Sequence, residues 1–151
     1  MKKIIITVLA IVSTMLLTGI VLYGILNSTP KPTPESILKV LFDISLVDFD
    51  YSVESFEELW YPNGDGYVLI IYKFNTLTQE NIEYLKEFDL QLLPMPDSVR
   101  IQTSPSSLPS MYKAADVGYY TYKVSPTHHR DFKVFIVDTE RMIAVLYCQY
   151  M

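Results

Sequence analysis

The longest apolar run of the chain covers residues 4–26, which include no charged side chain. As a helix with a rise of about 1.5 Å per residue, this run would extend about 35 Å, enough to cross the roughly 30 Å hydrocarbon core of a bilayer. Apolar side chains would lie on every side of such a helix, with no polar stripe for water. The pattern therefore predicts a transmembrane helix that contacts the lipid bilayer through residues 4–26.

The flanks of this run distinguish an anchor from a cleaved secretory signal. The run is longer than the apolar region of a typical signal peptide, and no cleavage site of the A-x-A type follows it. We therefore interpret residues 1–27 as an uncleaved signal-anchor helix. Lys2 and Lys3 precede the run, so the positive-inside rule predicts a cytoplasmic N-terminus. Residues 28–34 are then a stiff, proline-rich linker, and residues 35–151 form an extracytoplasmic domain.

In the first half of this domain, the apolar positions change from a helical to a strand period. Residues 34–45 carry apolar side chains on one helical face and predict an amphipathic helix. Residues 47–53 alternate as in a half-buried strand, and the break at residues 55–56 suggests a bulge or a bend. Residues 62–66 are a strong turn signal, and residues 67–74, apolar on both faces, predict the central strand of a sheet.

The second half predicts one helix, one long connection and a strand meander. Residues 78–88 are spaced for a helix, and residues 89–116 predict an irregular connection because prolines interrupt them. Strands rich in Tyr, Val, Ile and Phe follow at residues 117–125, 132–138 and 142–150. Sequential hairpins favour antiparallel pairing. The sequence thus predicts an α+β fold, with a small antiparallel sheet of about five strands and two helices on one face.

The net charge excludes some classes of binding partner, and the single cysteine excludes some kinds of structural site. The net charge is −5 at pH 7, and the domain beyond the linker is more acidic still because Lys2 and Lys3 lie before the apolar run. An acidic domain argues against nucleic acid and anionic lipid as partners, since both select basic surfaces. The single cysteine, Cys148, excludes an internal disulfide framework and a cysteine-based zinc site. We expect no cofactor.

Two short motifs suggest metal ligands, but neither has a complete ligand set. Residues 63–66, Asn-Gly-Asp-Gly, resemble the middle of an EF-hand calcium loop. The first and twelfth positions of that loop are Tyr61 and Tyr72 here, so its opening carboxylate and its bidentate glutamate are missing. His128 and His129 are adjacent and would point to opposite sides of an extended chain. The sequence predicts turns at both places and no metal site.

Cys148 is the candidate nucleophile. If residues 138–141 close a tight hairpin, Asp131 pairs with Cys148, and His129 lies diagonal to the thiol on the same face. Cysteine, histidine and an acid are the parts of a nucleophilic site, so a small hydrolase is one alternative. Cys148 also shares its strand face with apolar residues, which favours a buried structural role. We expect the structural role and assign no catalytic residue.

Tyrosines and acidic residues provide the candidate binding surface. Tyr119, Tyr120 and Tyr122 cluster in one predicted strand and, with Asp48 and Asp50, could form a rigid amphipathic contact surface. The same tyrosines also suit a strand by propensity alone. The acidic residues near the first predicted strand alternate in a way that suggests a solvated face: Asp48, Asp50, Glu54, Glu57 and Glu58.

These patterns favour a non-enzymatic, single-pass membrane protein whose outer domain binds another protein with a basic surface. One version is an immunity-type protein that neutralises a toxin at the membrane by charge complementarity. The alternatives are the small hydrolase that uses Cys148 and His129, and an accessory subunit of a membrane complex held by the anchor. Residues 4–26 contain no G-x-x-x-G pair that would support the last alternative.

The anchor interpretation predicts the topology of the chain. A reporter enzyme that is active only outside the cytoplasm should give signal when it is fused after Met151, because the basic N-terminal flank stays inside. The full-length mass should remain in the membrane fraction. A soluble product, shortened at its N-terminus, would contradict the anchor and establish a cleaved signal.

Overall fold

The computed structural model of the protein describes residues 31–102, 115–128 and 130–151, together with residues 14, 15 and 18. The chain divides into two compact units, residues 1–32 and residues 33–151. The predicted anchor falls in the first unit and lies outside the described residues, apart from those three positions. Among the residues that are described, no helix has the length and hydropathy needed to cross a membrane.

Residues 33–151 are built on a six-stranded antiparallel sheet. Its strands are β1 (Tyr51–Trp60), β2 (Gly66–Phe74), β3 (Gln91–Leu92), β4 (Gly118–Val124), β5 (Phe132–Asp138) and β6 (Ile143–Tyr150). The helices are α1 (Pro34–Phe42), α2 (Gln79–Lys86) and α3 (Asp97–Gln102). The order of strands across the sheet is β1-β2-β6-β5-β4-β3. The predicted α+β class is confirmed.

The two longer helices begin and end at residues with clear capping roles. The Thr33 side chain accepts a hydrogen bond from the N–H of Ser36, and Pro34 occupies the first turn of α1. Asp43 then takes a left-handed conformation with φ of 64°, which ends α1 three residues before the predicted boundary at residue 45. Thr78 and Asn81 form a reciprocal capping box at the start of α2.

Strands β2, β5 and β6 are buried on both faces of the sheet. On one face, α1, α2 and residues 44–49 cover the sheet, and this cluster includes Leu38, Phe42, Ile44, Leu46, Phe49, Val68, Ile70, Tyr72, Leu85, Phe135, Leu146 and Cys148. On the other face the cover comes from the long connection, and that cluster includes Leu69, Ile71, Leu93, Met95, Ala115, Tyr120, Phe132, Val134, Ile136, Val145 and Tyr147. The described part of the connection therefore has a structural role.

The first strand starts later than the sequence pattern predicts. Residues 47–50 form a turn in which the N–H of Phe49 donates to the carbonyl oxygen of Leu46 at 3.0 Å. Val47 is consequently 80% exposed, whereas Phe49 is buried. The predicted bulge is confirmed, because the register of β1 against β2 shifts between Val53 and Ser55. The alternating pattern was misleading at residues 47–50, because the turn buries Phe49 but leaves Val47 exposed.

The prediction that residues 67–74 form the central strand is wrong. These residues are buried on both faces as expected, but β2 is the second strand, and β6 and β5 occupy the middle of the sheet. The sheet also has six strands and not about five, since the two-residue β3 pairs with β4. A strand can be apolar on both faces wherever other segments pack on both sides of the sheet. Its position in the strand order does not matter.

The predicted pairing of Asp131 with Cys148 is also wrong. Lys133 is the residue opposite Cys148, because the hairpin loop contains four residues, 139–142. The carboxylate of Asp138 organises this loop by accepting bonds from the N–H of Arg141 at 2.8 Å and of Glu140 at 3.1 Å. The register differs from the predicted one by two residues, and a shift of two keeps every side chain on the same face.

Replacement of Ile70 by Asp should unfold residues 33–151. Ile70 is fully buried in β2, and an unpaired charge at such a position costs several kcal/mol. Lys73→Asp provides a matched control, because Lys73 is exposed on the same strand. Thermal unfolding of the full chain, followed by near-UV circular dichroism, should show loss of the native signal for Ile70→Asp only. A wild-type melting temperature for Ile70→Asp would show that β2 is not part of the core.

Candidate binding surface

The three tyrosines of β4 do not form one surface. Tyr120 is 2% exposed, and its hydroxyl donates a hydrogen bond to Oε1 of Gln91. Tyr122 lies on the same face, with its ring centroid 6.1 Å from that of Phe132. Tyr119 lies on the opposite face of the sheet and packs against the hydrophobic cluster that α1 and α2 cover. Alternation along a strand separates these side chains, so the tyrosine-rich stretch mainly builds the core.

Asp48 and Asp50 lie far from these tyrosines in the strand order. They are exposed in the segment before β1, whereas β4 is the fifth strand across the sheet. The Asp50 carboxylate accepts a hydrogen bond from the side-chain amide of Asn75 at 2.8 Å. Both residues line a shallow cleft of about 440 Å³ that Glu80 and Tyr84 also border. The structure therefore does not bring the predicted tyrosine and aspartate residues together.

The described surroundings of Cys148 oppose a nucleophilic role. Cys148 is fully buried, and burial raises the pKa of its thiol to about 12, with a smaller opposing effect from Lys133. The thiol is therefore protonated near neutral pH. The Asp131 carboxylate accepts a hydrogen bond from the N–H of Met151 at 2.8 Å. His129 lies outside the described residues. The expected burial of Cys148 is confirmed.

The turn that resembles an EF-hand loop is closed by its own side chains. The Asn63 amide donates to the Asp65 carboxylate at 2.6 Å, and the N–H of Tyr61 donates to the carbonyl oxygen of Asp65 at 2.8 Å. These bonds are those of a hairpin turn between β1 and β2. Across residues 31–102, 115–128 and 130–151, no group of three or more His, Cys, Asp or Glu side chains is placed to hold a metal ion.

A basic pair lies on the helix-covered face. Lys123 and Lys133 are directly opposite each other on β4 and β5, and their Nζ atoms lie 5.3 and 5.8 Å from the centre of the Phe42 ring. The ring face stabilises both ammonium groups and offsets their repulsion. The two lysines border a cleft of about 390 Å³ that also contains Asp131. The contact with Phe42 gives both lysines a structural role at the end of α1.

Five half-exposed apolar side chains lie on β1 and the residue after it. Each is between 38% and 55% exposed: Val53, Phe56, Leu59, Trp60 and Tyr61. Exposed glutamates alternate with them at positions 54, 57 and 58. We call residues 51–61 the acidic edge, because β1 is the first strand of the sheet and this segment contains no Lys or Arg. Half-exposed apolar side chains combined with one sign of charge are typical of a protein-binding surface.

Local contacts hold several side chains of the acidic edge in place. Trp60 donates from Nε1 to the Glu58 carboxylate at 2.6 Å, and its ring lies 5.2 Å from that of Tyr150, at an angle of 32°. On the other face, the Tyr67 hydroxyl donates to the Glu57 carboxylate at 3.5 Å. A tryptophan that is both half exposed and fixed in one orientation loses little conformational entropy on binding.

Sequence reasoning interpreted these glutamates as a solvated face and did not single out the apolar residues between them. The sequence does contain a signal for this surface: a segment with a tryptophan, several glutamates and no basic residue. Whether this segment forms a binding surface depends on whether its strand lies at an edge of the sheet. The position of a strand in the sheet is set by pairing between segments that are distant in the sequence. Comparison with protein-family models, with curated proteins and with solved structures finds no match for this chain.

Proposed function

We propose that this protein is a membrane-anchored binding protein whose domain holds a basic protein partner through the acidic edge. The observation that carries the proposal is the strip of half-exposed apolar side chains on β1, interleaved with Glu54, Glu57 and Glu58. The apolar groups supply the area that drives association, and the carboxylates select a positively charged partner. Trp60 is the anchor side chain of this surface.

The membrane part of the proposal rests on residues 4–26. Their length and freedom from charge suit a transmembrane helix, and Lys2 and Lys3 favour a cytoplasmic N-terminus. Residues 28–34 then hold the domain just outside the bilayer. An anchor of this kind concentrates the acidic edge at the membrane surface, where a weak contact with a membrane-bound or membrane-directed partner becomes effective. Neutralisation of a basic toxin, as by an immunity-type protein, is one activity of this class.

Contacts in the protein support binding more than catalysis. Burial of the Cys148 thiol and its raised pKa oppose a nucleophilic role, whereas the acidic edge has the exposure that a binding surface requires. The hydrolase alternative therefore has no specific observation in its favour. An accessory subunit of a membrane complex would use the same anchor. The crosslinking experiment described next also tests this alternative.

A photo-crosslinking residue at position 56 of the full chain should capture a basic protein in intact membranes. Replacement of Glu54, Glu57 and Glu58 by Gln should lower the yield by about tenfold at low salt, because each exposed ion pair contributes about 0.2–1 kcal/mol. High salt should have a similar effect on the unmodified edge, since exposed charges are screened. The measurement is the crosslinked fraction, with the partner identified by mass spectrometry.

Two controls separate the acidic edge from general surface charge. The same reagent at Val40, which is 83% exposed on α1, should capture little of that partner. Gln at the exposed positions Glu80, Glu87 and Glu140 should leave the yield at position 56 unchanged. Equal capture from positions 40 and 56, or an unchanged yield after the three edge substitutions, would contradict the proposal. A partner held only through the membrane segment would favour the accessory-subunit alternative.

A further inference from the structure

The two edges of the sheet differ sharply. β3, at one edge, has only two residues, whereas β1, at the other edge, has ten. Within the part of the chain that the structure describes, no strand pairs with the outer side of β1. Natural proteins usually blunt an exposed edge with a short strand, a lysine or a proline, because an open edge can pair with another chain. β3 follows this rule, whereas β1 has neither lysine nor proline and is interrupted only by the bulge between Val53 and Ser55.

The backbone of β1 presents N–H and C=O groups to this open side with which no described strand pairs. The N–H of Tyr61 donates to the carbonyl oxygen of Asp65, so the backbone groups of Tyr61 point toward β2. Antiparallel ladders alternate, and the register of residues 55–60 against β2 is continuous. The N–H and C=O groups of Phe56, Glu58 and Trp60 therefore point away from the sheet. These groups can pair with an added strand without disturbing β2.

The side chains of β1 divide between the two faces of the sheet. Val53, Phe56 and Trp60 lie opposite Tyr72, Ile70 and Gly66 on the helix-covered face. Glu57 and Leu59 lie on the other face, opposite Leu69 and Tyr67. Glu58, opposite Val68, also lies on the first face, between Phe56 and Trp60. A strand added next to β1 would place one set of its alternate residues beside apolar side chains and Glu58, and the other set beside Glu57 and Leu59.

Charge decides which strand fits. Two copies of this chain joined along β1 would bring their glutamates together, and like charges on adjacent strands are destabilising. A strand that carries Lys or Arg would neutralise the same carboxylates. The three glutamates thus act against self-association and in favour of a basic segment.

We propose that β1 accepts an added β-strand from its partner, an extended segment in which apolar residues alternate with Lys or Arg. The inference rests on the proposed function and adds to it the mode of binding: backbone hydrogen bonds to Phe56, Glu58 and Trp60, with side chains that supply specificity. A free strand edge, an apolar strip and a single sign of charge coincide on the same ten residues.

A ten-residue peptide of alternating Val and Lys, with blocked ends, is the probe. The full chain, purified in detergent, reports binding through Trp60, which is the single tryptophan of the sequence and lies 49% exposed on the edge. Two modified peptides test the hydrogen bonds, one N-methylated at every Val and one at every Lys. Only one set of amides can face β1, so one modified peptide should keep its affinity and the other should lose about tenfold or more.

A peptide of alternating Val and Glu is the matched control and should not bind, since it has the same apolar residues and the opposite charge. Equal binding of both N-methylated peptides would overturn strand addition, because only side chains would then make the contact. That result would leave the proposed function intact, since capture at position 56 tests it separately. Failure of the Val–Lys peptide to bind at low salt, or a dimer of the free chain in which Trp60 is already shielded, would also overturn the inference.

Discussion

The fold depends on the burial of a sheet that is apolar on both faces. β2, β5 and β6 are buried almost throughout, so neither of their faces can meet water. One cover comes from α1 and α2, whose apolar stripes pack on the first face. The second cover comes from the connection after α2, which places Leu93, Met95 and Ala115 on the other face. The burial of apolar side chains under both covers provides most of the favourable free energy of folding of this domain.

The same constraint explains why β1 differs from the other long strands. The helices α1 and α2 contribute to the core on one face of the sheet, but most of β1 remains exposed. Among the residues that the structure describes, no strand pairs with the outer side of β1, and most of its side chains are exposed. An edge of this kind is a hazard for self-association, and Glu54, Glu57 and Glu58 reduce that hazard by repulsion. A surface protected in this way is also selective for a basic partner.

Much of the local structure could be predicted from the sequence, because it depends on neighbours along the chain. The periods of residues 34–42 and 66–74, the capping residue Thr78 and the bulge after Val53 are local signals of this type. The position of β2 in the sheet and the pairing of Cys148 were missed because both depend on contacts between distant segments. Two-residue β3 has no period at all, and only its pairing with β4 defines it.

The candidate site was harder to predict for the same reason. Tyr119, Tyr120 and Tyr122 are close in sequence, but adjacent strand residues point to opposite faces, and Tyr120 belongs to the core. The glutamates of β1 are recognisable in the sequence, yet they become a binding surface only if β1 has no outer neighbour. Sequence pattern identifies which residues are polar, whereas sheet order determines which of them a partner can reach.

The state of the β1 backbone in the free chain tests this account most directly. Hydrogen exchange of single amides, measured by NMR on the full chain in detergent, should alternate along the strand. The amides of Glu57 and Leu59 pair with β2 and should exchange slowly, whereas those of Phe56, Glu58 and Trp60 should exchange rapidly. Slow exchange at all five positions would show that another segment already covers the edge, and would contradict the account.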